Sequence, residues 1–411
     1  MVKFMNMEST NYNFYGLGIA PKIIEILDHL KFKNATPIQH QAIPLILEGK
    51  DVMGVAQTGT GKTLAFAIPA IQRLAQSKGR ALVLTPTREL AVQVEESFAR
   101  IGRPFGIKTA VLIGGEPIRN QLRALSAHPR VLIATPGRLI DHMEHKKVHL
   151  NDIGILILDE ADRMFDMGFA PQIEVILGKL PKERQTLLFS ATMPAPIFSI
   201  VKRHMRMPVS VEIAPSGTKA EHITHELFIV QREMKKTLLE KLLKQYRGSV
   251  LLFCRTKIFA HRIAGILRHD GHSAAEIHSD RSLSQRREAL EGFKRGKHRI
   301  LVSTDIASRG IDVKGIELVI NYDLPDDPEN YVHRIGRTGR AGCPGHAISF
   351  ATSDQKQDVV NIERIIKVAL PISKHPEIPS EPFQEIFKQT RQFKKSRWPS
   401  RSFSRQRKYR R

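Results

Sequence analysis

Cysteine is nearly absent: Cys254 and Cys343 are the only two in 411 residues. Two thiols cannot build a disulfide framework or a four-thiolate zinc site. No run of 18 apolar residues occurs, so no segment has the length and hydropathy of a membrane-spanning helix. The opening MVKFMNMEST also lacks the apolar stretch of a secretory signal, and the expectation is a cytoplasmic protein. Acidic residues are in deficit, 41 Asp and Glu against 64 Lys and Arg, and the resulting +23 points to a polyanionic partner. What is present suffices for packed cores. The hydrophobic fraction is 41%, and at roughly 150 residues per domain the length suggests two or three domains.

The basic excess is uneven. Lys388 to Arg411 holds eleven Lys and Arg with no Asp or Glu, and the remainder still carries +12. Phe393, Trp398, Phe403 and Tyr409 are interleaved with these cations. Cations neutralise phosphates and aromatic faces stack on unpaired bases, so this composition suits single-stranded nucleic acid. The alternative is a solvated tail that only aids solubility. Either way the segment is expected to be disordered from about residue 388.

Upstream, short apolar runs alternate with helix-like stretches. Expected strands are Asp51–Val55, Ala81–Leu84, Val131–Ala134, Ile155–Leu158 and Thr186–Phe189, then Ser249–Phe253, Ile300–Ser303, Leu318–Ile320 and Ala347–Phe350. Such runs with helices between them imply parallel sheets covered on both faces, an α/β fold. The pattern breaks at APSGTKA, residues 214–220. The expected organisation is therefore a segment 12–40, one α/β domain over 41–213, a linker over 214–220, a second α/β domain over 221–370, and a basic tail over 371–411.

The strongest local motif follows the first expected strand: Ala56-Gln57-Thr58-Gly59-Thr60-Gly61-Lys62-Thr63. Apart from Ala56 in the first position it fits a phosphate-cradling loop. Gly59 and Gly61 let backbone N–H groups turn toward phosphate oxygens at the start of the next helix. Lys62 would reach the β- and γ-phosphates and Thr63 would hold Mg2+. A second carboxylate site is then needed, and the apolar run 155–158 ends in Asp159-Glu160-Ala161-Asp162. Asp159 can hold the metal and Glu160 can polarise an attacking water. Alone, this tetrapeptide would be an acidic helix start; beside the loop it points to nucleotide hydrolysis.

In this order the residues resemble the DEAD-box RNA helicases, whose name is the tetrapeptide at 159–162. Thr36-Pro37-Ile38-Gln39 resembles the family's Q motif, with Phe14 at its distant aromatic. Pro86-Thr87-Arg88-Glu89-Leu90, Gly114-Gly115, Thr135-Pro136-Gly137-Arg138 and Ser190-Ala191-Thr192 follow in order. The second half has Leu252-Phe253-Cys254, the run from Ser303 to Asp312, and His333-Arg334-Ile335-Gly336-Arg337-Thr338-Gly339-Arg340. The match spans about residues 14 to 350. It implies two RecA-like domains in tandem, and the compact form is similar to bacterial members, including those called RhlE-like. Two places depart from the pattern. Lys31 and Ala35 stand where the Q motif has Gly and Pro, and Leu283 stands where the family often has the Gln of Gln-x-x-Arg, with Arg286 at its Arg.

The resemblance implies roles. ATP and Mg2+ would bind through Phe14, Gln39, Ala56 to Thr63 and Asp305, with Thr63 and Asp159 toward the metal. Gln39 has the donor and acceptor that adenine presents in reverse. Glu160, Asp159, Lys62, His333, Arg337 and Arg340 would be catalytic, the two arginines as fingers from the second domain. Ser190, Thr192 and Asp162 would couple hydrolysis to strand separation. Thr87, Arg88, Gly115, Thr135, Gly137, Arg138 and Thr304 would contact RNA phosphates without reading bases, with Arg255 a weaker candidate. The expected function is an ATP-dependent RNA helicase for single strands and short duplexes. Two rivals are an ATP-driven RNA clamp or annealing chaperone, suggested by the basic aromatic tail, and a DNA translocase with the same engine. His142, His145 and His149, like Cys343 with His346, are incomplete as metal ligand sets.

Overall fold

The structure is a computed structural model and describes residues 12–57, 59–213, 223–305, 313, 316–339 and 345–384. The expected linker 214–220 and the tail from 388 lie outside the described residues, as do Thr58 and Arg340. The first sheet contains β1 (Val52–Val55), β2 (Arg80–Leu84), β3 (Thr109–Leu112), β4 (Val131–Ala134), β5 (Ile153–Asp159), β6 (Gln185–Ser190) and β7 (Val209–Glu212). Its order is β3-β4-β2-β5-β6-β1-β7, and every neighbouring pair is parallel. The second contains β8 (Ile223–Ile229), β9 (Val250–Phe253), β10 (Ala274–Ile277), β11 (Ile300–Ser303), β12 (Leu318–Asn321) and β13 (Gly345–Ala351). Its order is β10-β11-β9-β12-β13-β8, again parallel throughout. Two parallel-sheet domains in tandem are thus present, with helices alternating between strands.

Four strands were not among the expected runs: β3, β7, β8 and β10. They are the four sheet edges. Interior strands such as β4, β6, β9 and β12 are buried at every residue, and burial on both faces demands continuous apolar sequence. An edge strand is freed from that demand. β7 carries exposed Ser210 and Glu212 and β8 carries Thr224 and Glu226, whereas β10 is buried throughout and hides its pattern by carrying Glu276, which the guanidinium groups of Arg281 and Arg268 partner.

Packing fixes where the strand ends point. Phe66, on the helix Lys62–Gln76, lies 5.3 Å from the Phe189 ring of β6. That ring also fills the space over β1, because a Cβ at Gly54 would come within 2.5 Å of it. Asp51 ties the strand starts together, its carboxylate accepting from the N–H of Thr186 at 2.7 Å and of Arg206 at 2.7 Å.

The second domain extends further than expected. Leu227 N–H donates to Pro371 O and Ser373 N–H to Leu227 O, both at 2.8 Å, and Glu381 N–H donates to Ile229 O at 2.9 Å. Ile378 is buried in the core. Residues 371–384 therefore pack on the second domain instead of beginning a tail; the apolar side of β8 would otherwise be left without its neighbour.

The two domains also touch. Leu283, on the helix Leu283–Lys294, is buried in an apolar cluster whose other members all come from the first domain. One turn on, Arg286 Nη2 lies 2.8 Å from Glu89 Oε2, and both side chains are buried.

Candidate nucleotide site

The loop after β1 is held from both sides. Ala56 N–H donates to Ser190 O at the end of β6, at 3.0 Å. Gly59 and Gly61 have φ of 82° and 89°, in the left-handed region. Glycine is required at 61 for a second reason: a Cβ there would lie 2.3 Å from Gln39 Nε2. The buried Lys62 ammonium donates to Ala56 O at 2.8 Å, and the Thr60 hydroxyl donates to Gln57 O at 2.7 Å. Thr63 follows in the first helical turn.

Gln39 and Phe14 are engaged inside the protein. Gln39 Oε1 accepts from Thr36 N–H at 2.9 Å, and its Nε2 donates to Gly61 O at 3.0 Å. The side chain expected to match adenine thus caps its own helix, Pro37–Leu47, through Oε1 and fastens that helix to the phosphate loop through Nε2. Phe14 is buried against the first-domain core, 3% exposed.

β5 ends at Asp159, and Glu160 takes φ 52° and ψ 53° at the cap of the helix Ala161–Asp166. A left-handed conformation is costly for a residue with a Cβ. Arg163, one turn on, reaches back, its Nη1 2.6 Å from Glu160 Oε2 with both side chains about nine-tenths buried. Burial pushes the Glu160 carboxyl up, but Arg163 and then Lys62 outweigh burial and hold it below the usual carboxylate range. Asp159 goes the other way. Burial raises it to about 7 against the pull of Lys62. A buried carboxyl so destabilised as an anion, together with the Thr63 hydroxyl in the first turn after the phosphate loop, is an oxygen donor set that suits Mg2+.

Asp162 forms the hub of the next layer. Its Oδ2 accepts from Ala191 N–H at 3.0 Å, Thr192 N–H at 2.8 Å and the Thr192 hydroxyl at 3.1 Å. Its own N–H donates to Ser190 Oγ at 3.0 Å. The turn after β6 is therefore bonded to the tetrapeptide after β5.

A cleft between the domains is lined by Lys62, Glu160, Asp162 and Arg163 from one side and by His333 and Arg337 from the other. The helix Pro328–Ile335 and the turn beyond it deliver the last two, with Arg337 Nε donating to His333 O at 3.2 Å. Arg334 points the opposite way. It is fully buried, bonded to Asp305 through Nε at 2.6 Å and Nη2 at 2.7 Å, and lies 5.0 Å from the centre of the Phe253 ring. Asp305, expected near the nucleotide, is thus gripped by Arg334.

Two family descriptions match this arrangement: "DEAD/DEAH box helicase" over residues 36–200 and "Helicase conserved C-terminal domain" over residues 234–342. Together they cover well over half of the chain. The chain belongs to the DEAD-box family of ATP-dependent RNA helicases. It is similar to a "DEAD-box ATP-dependent RNA helicase CshA" of Geobacillus kaustophilus, 43% identical over 88% of this chain and 78% of the relative. An "ATP-dependent rRNA helicase RRP3" of Meyerozyma guilliermondii is 41% identical over 90% of this chain and 79% of that protein. Among solved structures, S. cerevisiae Dbp5 bound to RNA and ADP BeF3 has a TM-score of 0.77 at 30% identity, covering 88% of this chain and 95% of that one.

In this DEAD-box protein the residues expected to face RNA cluster where β2 and β4, adjacent strands, give way to helices. Thr87 caps the helix Arg88–Gly102, its buried hydroxyl accepting from Leu90 N–H at 3.3 Å. The Arg88 guanidinium lies against Gly114 and Gly115, where a Cβ on Gly115 would come within 2.1 Å of it. Thr135 caps the helix Pro136–Glu144, Gly137 is open on its Cβ side, and Arg138 lies 3.7 Å from Asp141. The two helices pack on opposite faces of the sheet, but their N-termini meet at the C-terminal edge of the neighbouring parallel strands β2 and β4, a geometry that favours phosphate. Thr304 sits after β11 on the other domain, buried, with its carbonyl accepting from the Ser303 hydroxyl at 3.1 Å. Arg255 stands 3.3 Å from Asp326.

Several participants escaped the sequence reading: Arg163 on Glu160, Arg334 on Asp305, and Glu89 on Arg286. The first could have been found from its helical spacing of three; the other two join residues 29 and 197 positions apart. Gln285, beside the expected Gln position, caps its own helix, its Oε1 accepting from Ser282 N–H at 3.0 Å.

Proposed function

We propose that this DEAD-box enzyme grips RNA through its backbone, separates short duplexes as the two domains close, and hydrolyses Mg2+-bound ATP to release the strand. The observation that supports this reading is the two-sided cleft, in which Lys62 and Glu160 face His333 and Arg337. Neither domain alone supplies both the phosphate cradle with its Lys62 and an arginine facing it for the transferred phosphoryl group. Lys62 neutralises the β- and γ-phosphates, Thr63 and Asp159 would hold Mg2+, and Glu160 orients the attacking water. Arg337 and Arg340 stabilise charge on the γ-phosphate. Gln39 reads adenine by exchanging its bond to Gly61 O for the base. Asp162 transmits the state of the cleft to Ser190 and Thr192, and from there to the RNA face.

RNA recognition in this reading is positional. Thr87, Arg88, Gly115, Thr135, Gly137, Arg138 and Thr304 contribute hydroxyls, guanidinium groups and backbone N–H, none of which distinguishes bases. The basic segment 388–411 adds non-specific affinity, and its deletion should weaken RNA binding and flatten its salt dependence. A cytoplasmic location fits this work.

The decisive experiment is Glu160→Gln. ATP turnover should fall by at least about a hundredfold, while RNA and ATP stay bound in a long-lived complex. Normal turnover in that variant would mean that Glu160 does not orient the attacking water.

A further inference from the structure

Away from the cleft, at the β10 edge of the second sheet, three side chains converge. His261 comes from the helix Lys257–His269, Glu276 from β10, and His278 from the first turn beyond it. One ligand atom from each lies within 4.8 Å of the others. His261 Nδ1 is 3.0 Å from Glu276 Oε2, and His278 Nε2 is 3.6 Å from the same oxygen. The second distance is too long for a hydrogen bond. A tetrahedral ion with bonds of about 2.0–2.2 Å holds its ligand atoms roughly 3.4 Å apart. The observed spacings bracket that value.

His278 adds an independent sign. The residue is 5% exposed, yet neither ring nitrogen has a hydrogen-bond partner among the described residues. A buried imidazole with both nitrogens unspent needs an explanation, and an ion is one of the few available. We propose that His261, Glu276 and His278 form a Zn2+ site with an open fourth position. Two imidazoles and a carboxylate are the donor set that borderline divalent ions prefer, and their softness disfavours Mg2+.

The surroundings set the affinity. Arg281 Nη2 bonds the other carboxylate oxygen, Oε1, and Arg268 Nη2 stands 3.8 Å from it. These guanidinium groups hold Oε1, which His261 Nδ1 also approaches at 3.1 Å, and leave Oε2 as the oxygen that both imidazoles share, as outer-shell partners do in metal sites. They also repel a dication, so the site is of moderate strength. An ion here would pin a surface helix to the sheet edge and to the loop that enters the helix Leu283–Lys294, the element carrying Leu283 and Arg286 at the domain boundary.

The test uses full-length protein stripped of transition metals, without nucleotide, in excess Mg2+ to occupy oxygen-only sites. Co2+ serves as the probe because its visible absorption strengthens in tetrahedral coordination. One equivalent should bind, Zn2+ should displace it, and His261→Ala should weaken binding by about tenfold or more. His261 is exposed, so its removal leaves the fold intact; Glu276→Gln gives a second reading, with circular dichroism as the folding control. Absence of the absorption band, or an equal band in folded His261→Ala and Glu276→Gln, overturns the assignment.

Discussion

Arg286 Nη2 meets Glu89 Oε2 at 2.8 Å across the domain boundary, with 8% and 4% of the two side chains exposed. Burial lowers the basicity of Arg286, and Glu89 opposes that shift. Removing one partner of a buried pair costs about 3–5 kcal/mol, chiefly because the other charge is stranded. That figure is an upper limit for this pair, since opening the domains returns Glu89 to water. Arg286→Met should therefore raise the RNA concentration needed for half-maximal ATPase by at least about tenfold. Combining it with Glu89→Gln should recover part of the loss. Strictly additive losses in the double variant would mean that the pair does not hold the domains together.

Leu283 replaces the glutamine that the family pattern leads one to expect, and it buries its side chain among first-domain residues. Full burial of a leucine contributes about 1.5–3 kcal/mol. Leu283→Gln exchanges that for an amide with no assigned partner in an apolar cluster. Closure should weaken, so that RNA affinity in the presence of a non-hydrolysable ATP analogue falls by about tenfold. Affinity without nucleotide should hardly change. Equal losses in both conditions would place Leu283 in the fold of its own domain and not in the contact.

His225 in β8 is buried, stacks on Tyr331 with ring centres 6.4 Å apart, and has no partner for either ring nitrogen among the described residues. Burial, then the neighbouring His346, lowers its pKa below the ordinary 6.5. The unfolded chain therefore binds the proton more readily than the folded one. As pH falls below about 6.5 the unfolded state gains protons first, and stability declines until the folded pKa is passed. His225→Phe should reduce the slope of urea stability against pH in that interval. An unchanged slope would show that the other buried histidines account for it.

Chemistry-bearing segments were legible because their spacing is local. Gly59, Gly61 and Lys62 lie within four residues, and Asp159 marks the end of an apolar run that the fold confirms as β5. Interior strands could be read for the same reason, since two buried faces leave little freedom of composition. What could not be read was pairing over distance. Nothing in the sequence joins Glu89 to Arg286, Arg334 to Asp305, or His261 to His278. Gln39 shows a subtler gap: its type was informative, but its hydrogen-bonding capacity is shared with Thr36 and Gly61, which only the fold reveals. The edge strands β7, β8 and β10 stayed hidden because charged or hydroxyl side chains, Glu212, Thr224 and Glu276 among them, interrupt their apolar runs.

The second domain faces the first at two places, through Leu283 and Arg286 after β10 and through His333 and Arg337 at the cleft before β13. In the sheet order these strands are four spacings apart, roughly 19 Å at about 4.8 Å per step. A rigid body pinned at two separated points keeps one rotation, about the line that joins them. Either pin alone would leave three. The proposed closure therefore needs no extensive interface: one further contact off that line, such as an RNA strand lying across both domains, would remove the last degree of freedom.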